Sequence, residues 1–132
     1  MGFVRVVATP ASVADVRSTL RHDLAILPES VREDAALVVS ELLGNAMRHA
    51  SSFPDGRLIV SWGVGDAGVE ISVTDGGGPT MPAVGEPDLA GVGGRGLSIV
   101  ASVAATWGVE RCGRETTVWA VVPLHSARFA PA

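Results

Sequence analysis

The chain has 132 residues and a mass of 13.5 kDa, which at roughly 100–200 residues per domain makes a single domain, residues 1–132. Apolar residues make up 47% and charged residues 18%, so a core can be buried and bulk disorder is excluded. The net charge of −4, from 14 acidic against 10 basic side chains, argues against a surface built to grip nucleic acid or anionic lipid. All ten bases are arginine. The absence of lysine excludes a Schiff-base lysine, a serine–lysine dyad and a P-loop lysine. Cys112 stands alone, so neither an internal disulfide nor a cysteine zinc site can form. MGFVRVVATP lacks the apolar core of a signal peptide, and no apolar run approaches the ~20 residues of a membrane span. A cytoplasmic location is expected.

Phe3 to Ala8 is β-rich and reads as a first strand. Thr9-Pro10 reads as a helix start, with Thr9 as cap and Pro10 at the first helical position. Val13, Val16, Leu20, Leu24 and Leu27 recur at three- and four-residue spacing, which predicts an amphipathic helix over 11–27, broken by Pro28. A second helix is expected from near Ser30 to about Ala50, with Ser30 and Glu33 as a capping box. SSFPDG (51–56) is turn chemistry. RLIVSWGV (57–64) and GVEISVTD (68–75) read as a hairpin joined at Gly65-Asp66. Residues 75–95, rich in Gly and Pro, read as a long binding loop or lid. Helix is expected again over 96–105. ATWGVERC (105–112) and ETTVWAVVPL (115–124) then form a second hairpin turning near Gly113, and 125–132 is a frayed tail. The order β-α-α-β-β-loop-α-β-β predicts an α+β fold: a two-layer sandwich whose mixed, mostly antiparallel sheet is covered on one face by helices.

Three places carry candidate chemistry. Glu41, Asn45 and His49 fall at i, i+4 and i+8 and drift only ~40° per step, so they form one stripe of the second helix. A carboxylate and an amide one turn apart suit a hydrated Mg²⁺, or the Glu acts as base while the Asn takes the metal. A solvated helix face has the same spacing, and a histidine at a helix end is also favoured by the helix dipole. Asp75-Gly76-Gly77-Gly78-Pro79 follows a strand directly; its carboxylate can accept from the amino group of a base while the glycines admit a flat ring, although a plain strand-ending turn reads alike. Gly91-Val92-Gly93-Gly94-Arg95-Gly96 opens a helix, offering free N–H groups to a phosphate and Arg95 as a charge-assisted donor. It is neither a Walker loop nor a dinucleotide fingerprint.

In this order the three signals resemble the GHKL (histidine-kinase-like) ATPase superfamily, and within it the small stand-alone anti-sigma-factor serine/threonine kinases of actinobacterial type. VVSELLGNAMRHA is similar to that family's asparagine box, DGGGP to its first glycine box, GGRGLSIV to its second, and TTVWAVVPL to the strand closing the adenine pocket. The likeness runs from residue 3 to about 124. It implies one histidine-kinase-like ATPase domain with a Bergerat-type ATP-binding fold, using ATP and Mg²⁺. It further implies Glu41 as general base, Asn45 as Mg²⁺ ligand, and Arg48 and His49 beside the phosphates. Asp75 would lie on the adenine amino group with Gly77 making room for the ring. Gly94, Arg95 and Gly96 would lie around the phosphates, and Thr117 would support adenine through water. Pro79 departs from the family's Asp-x-Gly-x-Gly, and LAGVGGRGL lacks the acidic or serine residue often found before the second box.

The resemblance implies phosphorylation of a serine on an anti-sigma-factor antagonist, control of a sigma factor by partner switching, and a homodimer, with Arg17 and Arg21 as partner contacts or an ordinary solvated face. Neither direct nucleic-acid binding nor a membrane is expected. The rival reading is an ATP-binding, non-catalytic anti-sigma or adaptor module. A detached sensor-kinase domain ranks third because the chain starts directly at its first strand.

Overall fold

A computed structural model describes residues 2–7, 9–49, 57–76 and 92–124. Strand β1 (Gly2–Val7) leads into helix α1 (Pro10–Asp23). Thr9 caps α1 in an extended conformation; its hydroxyl accepts from the Ser12 N–H, and Pro10 occupies the first turn, where no N–H is needed. Val16, Leu20 and Leu24 point into the core. The helix ends four residues earlier than its apolar spacing predicts. The Ala25 and Leu27 N–H groups fall back on the His22 and Leu24 carbonyls, a tightening into three-residue turns. Pro28 causes this, because its ring excludes helical geometry at the preceding residue and crowds the carbonyl four back. Ile26, at the tip of the turn, is 92% exposed.

Helix α2 (Glu29–His49) is the longest element. It begins when the Pro28 carbonyl accepts from both Val31 and Arg32. The expected Ser30–Glu33 capping box is absent: Ser30 already lies within the helix, and the Glu33 carboxylate instead receives Arg21 Nε at 3.0 Å and Nη2 at 2.8 Å. This fork joins α1 to α2. Val31, Ala35, Val38, Val39, Leu42, Leu43 and Ala46 line the buried side. Each buried leucine contributes about 1.5–3 kcal/mol.

Strands β2 (Arg57–Gly65) and β3 (Gly68–Asp75) form the first hairpin, and β4 (Thr106–Cys112) and β5 (Glu115–Val122) the second. The described sheet has the order β1-β2-β3-β5-β4 with every pairing antiparallel. The parallel component expected of a mixed sheet is missing because β4, inserted before β5, reverses the chain once more, so β5 returns antiparallel to β3. Alternation separates the faces. Leu58, Val60 and Trp62, then Val69, Ile71 and Val73, then Val118, Ala120 and Val122 are buried under the helices. The Trp62 indole donates to Asp23 Oδ2 at 3.0 Å, fastening the sheet to the end of α1.

Helix α3 (Val92–Val103) begins four residues before its expected start, taking the second glycine run into its first turns. It stops short of Ala105, whose N–H bonds the Val121 carbonyl and so enters the sheet. Helix α2 packs on α1 and α3 and crosses β3 and β5. No helix among the described residues is long and apolar enough to cross a membrane.

Candidate functional site

The stripe on α2 turns inward along its length. Glu41 is half-buried at the rim, Asn45 one turn later is 1% exposed, and His49 is the last helical residue, its side chain outside the described residues. The ~40° drift per turn accounts for this passage from rim to interior. Arg48 is exposed and folds back along the helix; a Cβ on Gly44 would meet its guanidinium at 3.3 Å.

Asn45 carries the most informative feature. Its Nδ2 is buried and has no hydrogen-bond partner among the described residues. Leaving such a group unpaired costs about 1–3 kcal/mol, and the two ends of an amide exchange by a half-turn. The buried end therefore offers either an oxygen to a cation or an N–H to a phosphate. Arg32 Nε is the other such atom, but it lies in the first turn of α2, beside Glu33.

Across from α2, the helix-facing side of the sheet ends in two buried polar residues. Asp75 closes β3 and Thr116 is the second residue of β5; both are 1% exposed, and they are paired in register. Thr117, which the resemblance puts beside adenine, lies on the other face: half-buried, with its hydroxyl 2.7 Å from that of Thr74. One residue of register decides this, since neighbouring side chains of a strand point to opposite faces. Sequence reading missed Thr116, although the inward series Val118, Ala120, Val122 in the same strand marks it.

Gly94, Arg95 and Gly96 fall within the first turns of α3, with the Arg95 side chain outside the described residues. A helix start of this kind presents its first N–H groups and the positive end of its dipole. Gly77 and Pro79 lie outside the described residues. The structure thus gathers Glu41 and Asn45 on the helix that crosses the strands of Asp75 and Thr116, with α3 packed alongside. A separate groove of about 590 Å³ on the open face of the sheet contains Thr117 but neither Asn45 nor Asp75.

The two-layer α+β sandwich thus carries a buried amide on its central helix, a buried carboxylate at a strand end and a glycine-rich helix start. The chain belongs to the histidine kinase-like ATPase domain family, which it matches over residues 6–122; membership implies an ATP site. Among solved structures it is similar to the histidine kinase domain of the Erythrobacter litoralis EL346 blue-light activated histidine kinase, with 24% identity, TM-score 0.54, and coverage of 86% of this chain and 60% of that one. It is also similar to the Erythrobacter litoralis EL346 blue-light activated histidine kinase, with 24% identity, TM-score 0.58, and coverage of 86% of this chain and 41% of that one. At such identity the likeness is one of fold, and the chain spans less than two thirds of either protein. None of the curated proteins compared matches the chain.

Proposed function

We propose that the chain is an ATP- and Mg²⁺-dependent protein serine/threonine kinase of the anti-sigma type. It phosphorylates a serine on a small anti-sigma-factor antagonist and controls a sigma factor by partner switching, in the cytoplasm and as a homodimer. The observation that carries the nucleotide part is the buried, unpartnered amide of Asn45, one turn beyond the half-buried carboxylate of Glu41. The partner and serine specificity rest on the resemblance of the asparagine and glycine boxes.

The donor set fits Mg²⁺, a hard cation that takes oxygen ligands from one or two side chains plus phosphates. Asn45 would hold it, and the ion would supply charge neutralisation at the phosphates. Glu41 accepts the proton of the substrate serine hydroxyl. Asp75 accepts from the adenine amino group, Gly77 makes room for the ring, and Thr116 takes over the supporting role first given to Thr117. The free N–H groups that open α3, those of Val92, Gly93 and Gly94, and the side chains of Arg48, His49 and Arg95 serve the phosphates; Gly96, whose N–H belongs to the helical ladder of α3, contributes only the absence of a side chain. Arg21 is already engaged by Glu33, which leaves Arg17 as the freer partner contact on α1.

Isothermal titration with ATP, with and without Mg²⁺, tests the nucleotide reading. Asn45→Leu is expected to abolish Mg²⁺-dependent binding while holding or raising the melting temperature, since no hydrogen bond is lost with the amide. Unchanged ATP binding by that variant overturns it. Glu41→Ala should keep ATP binding and lose about 10²–10⁴-fold in phosphoryl transfer. Pro79 in the first glycine box favours a second reading, a non-catalytic ATP-binding adaptor. Absence of transfer to the antagonist with ATP binding intact selects it.

A further inference from the structure

The open face of the sheet carries a second feature, independent of the nucleotide reading. Its groove is floored by small residues: Gly63 lies on β2, and the Ser61 and Ser72 hydroxyls bond each other at 2.6 Å. Trp119 forms one wall, its indole lying over Gly108, where a Cβ would meet the ring at 2.8 Å. Glu70 and Glu110 are exposed at the rim. Among the described residues neither has an ion pair, and none of those lining the groove is cationic.

Register fixes how these three stand. Glu70 pairs with Val121, Trp119 with Ser72 and Gly108, and Glu110 with Thr117. Each step from Glu70 to Trp119 to Glu110 therefore moves one strand across and two residues along. The result is a straight diagonal, acid–aromatic–acid, with the indole at its middle. Strand spacing and rise put the two glutamate Cα atoms roughly 17 Å apart.

The geometry points to a docking surface for an extended segment of a partner polypeptide that carries two arginines four positions apart. Alternate residues of such a segment share one face, and side-chain reach covers the remainder of the diagonal. Each guanidinium meets a carboxylate in a forked, charge-assisted contact. The indole face adds attraction for either cation or apolar contact with the residue between them. Charge complementarity chooses this occupant over the alternatives. A second copy docking through this same face would bring the same two acids to it, and residues 125–132 contain a single arginine, Arg128.

The test is fluorescence polarisation of the full chain with a labelled, end-capped pentapeptide, arginine-threonine-alanine-threonine-arginine. Binding is expected, weakening with salt, and falling about five-fold for each of Glu70→Gln and Glu110→Gln, with circular dichroism unchanged. Replacing both arginines by citrulline should abolish it, and making them adjacent should weaken it. Equal binding by the double glutamine variant, or by the citrulline peptide, overturns the proposal. Tighter peptide binding after Arg128→Gln overturns it in favour of the chain's own tail. A dimer that separates on Glu70→Gln overturns it in favour of a second copy. Mg²⁺–ATP titration of Glu70→Gln is expected to match the parent, so failure here and failure of the nucleotide reading remain distinguishable.

Discussion

Thr116 and Thr117 are neighbours of the same chemistry, yet the sheet sends one toward Asp75 and the other toward Thr74. Thr116→Val should therefore weaken ATP binding about five-fold, the worth of one hydrogen bond, whereas Thr117→Val should leave it within two-fold of the parent, roughly the scatter of surface substitutions. Equal effects in calorimetry would count against the Asp75–Thr116 site. The Arg21–Glu33 fork makes a second prediction. Hydrogen bonding from Arg21 holds the Glu33 carboxyl below its ordinary range, with the charges of Arg21, Arg32 and Arg17 adding to the effect. A carboxyl lowered in the folded state contributes stability that is fully present above its unfolded pKa and is lost as pH falls through the folded value. Both side chains are more than a third exposed, so solvent screening keeps the contribution below about 1 kcal/mol. NMR titration should find the Glu33 carboxyl returning toward its ordinary range in Arg21→Gln.

At the scale of elements, the two hairpins depend on glycines of different kinds. Gly113 adopts a left-handed φ of 62° with open space around it, while Gly68 has φ 139° and its missing Cβ would collide with the Val122 carbonyl. Gly113→Ala bears only the backbone cost, about 1–2 kcal/mol, or a few degrees in melting temperature. Gly68→Ala adds displacement of β5 and should cost more, so the order of the two melting temperatures is the check. Several boundaries differ from the sequence reading. Apolar spacing carried α1 through Leu27, but Pro28 acts on the residues before it. The glycine run read as loop, but α3 starts within it at Val92. A capping box was legible at Ser30–Glu33, but Pro28 supplies the accepting carbonyl and Arg21 captures Glu33. Pro28 acts on its immediate neighbours, whereas the partner that captures Glu33 sits twelve residues away on another helix.

At the scale of the molecule, one core lies between a helix layer and an antiparallel sheet, with α2 as the shared wall. By itself the sequence determined the element types, the two hairpins, the α+β class and the polar stripe of α2. These depend on periodicity, turn residues and caps, which act over a few residues. The joint pattern of Glu41, Asn45, Asp75 and the glycine runs also marked the family. Tertiary structure alone decided the strand order, the orphaned amide of Asn45, the opposite faces taken by Thr116 and Thr117 and the diagonal from Glu70 to Glu110. Each of these requires register between strands distant in sequence, or the burial of one element beneath another. A shift of one residue in register exchanges the two faces of a strand, and local residue pattern does not fix that shift until the sheet is assembled against its helices.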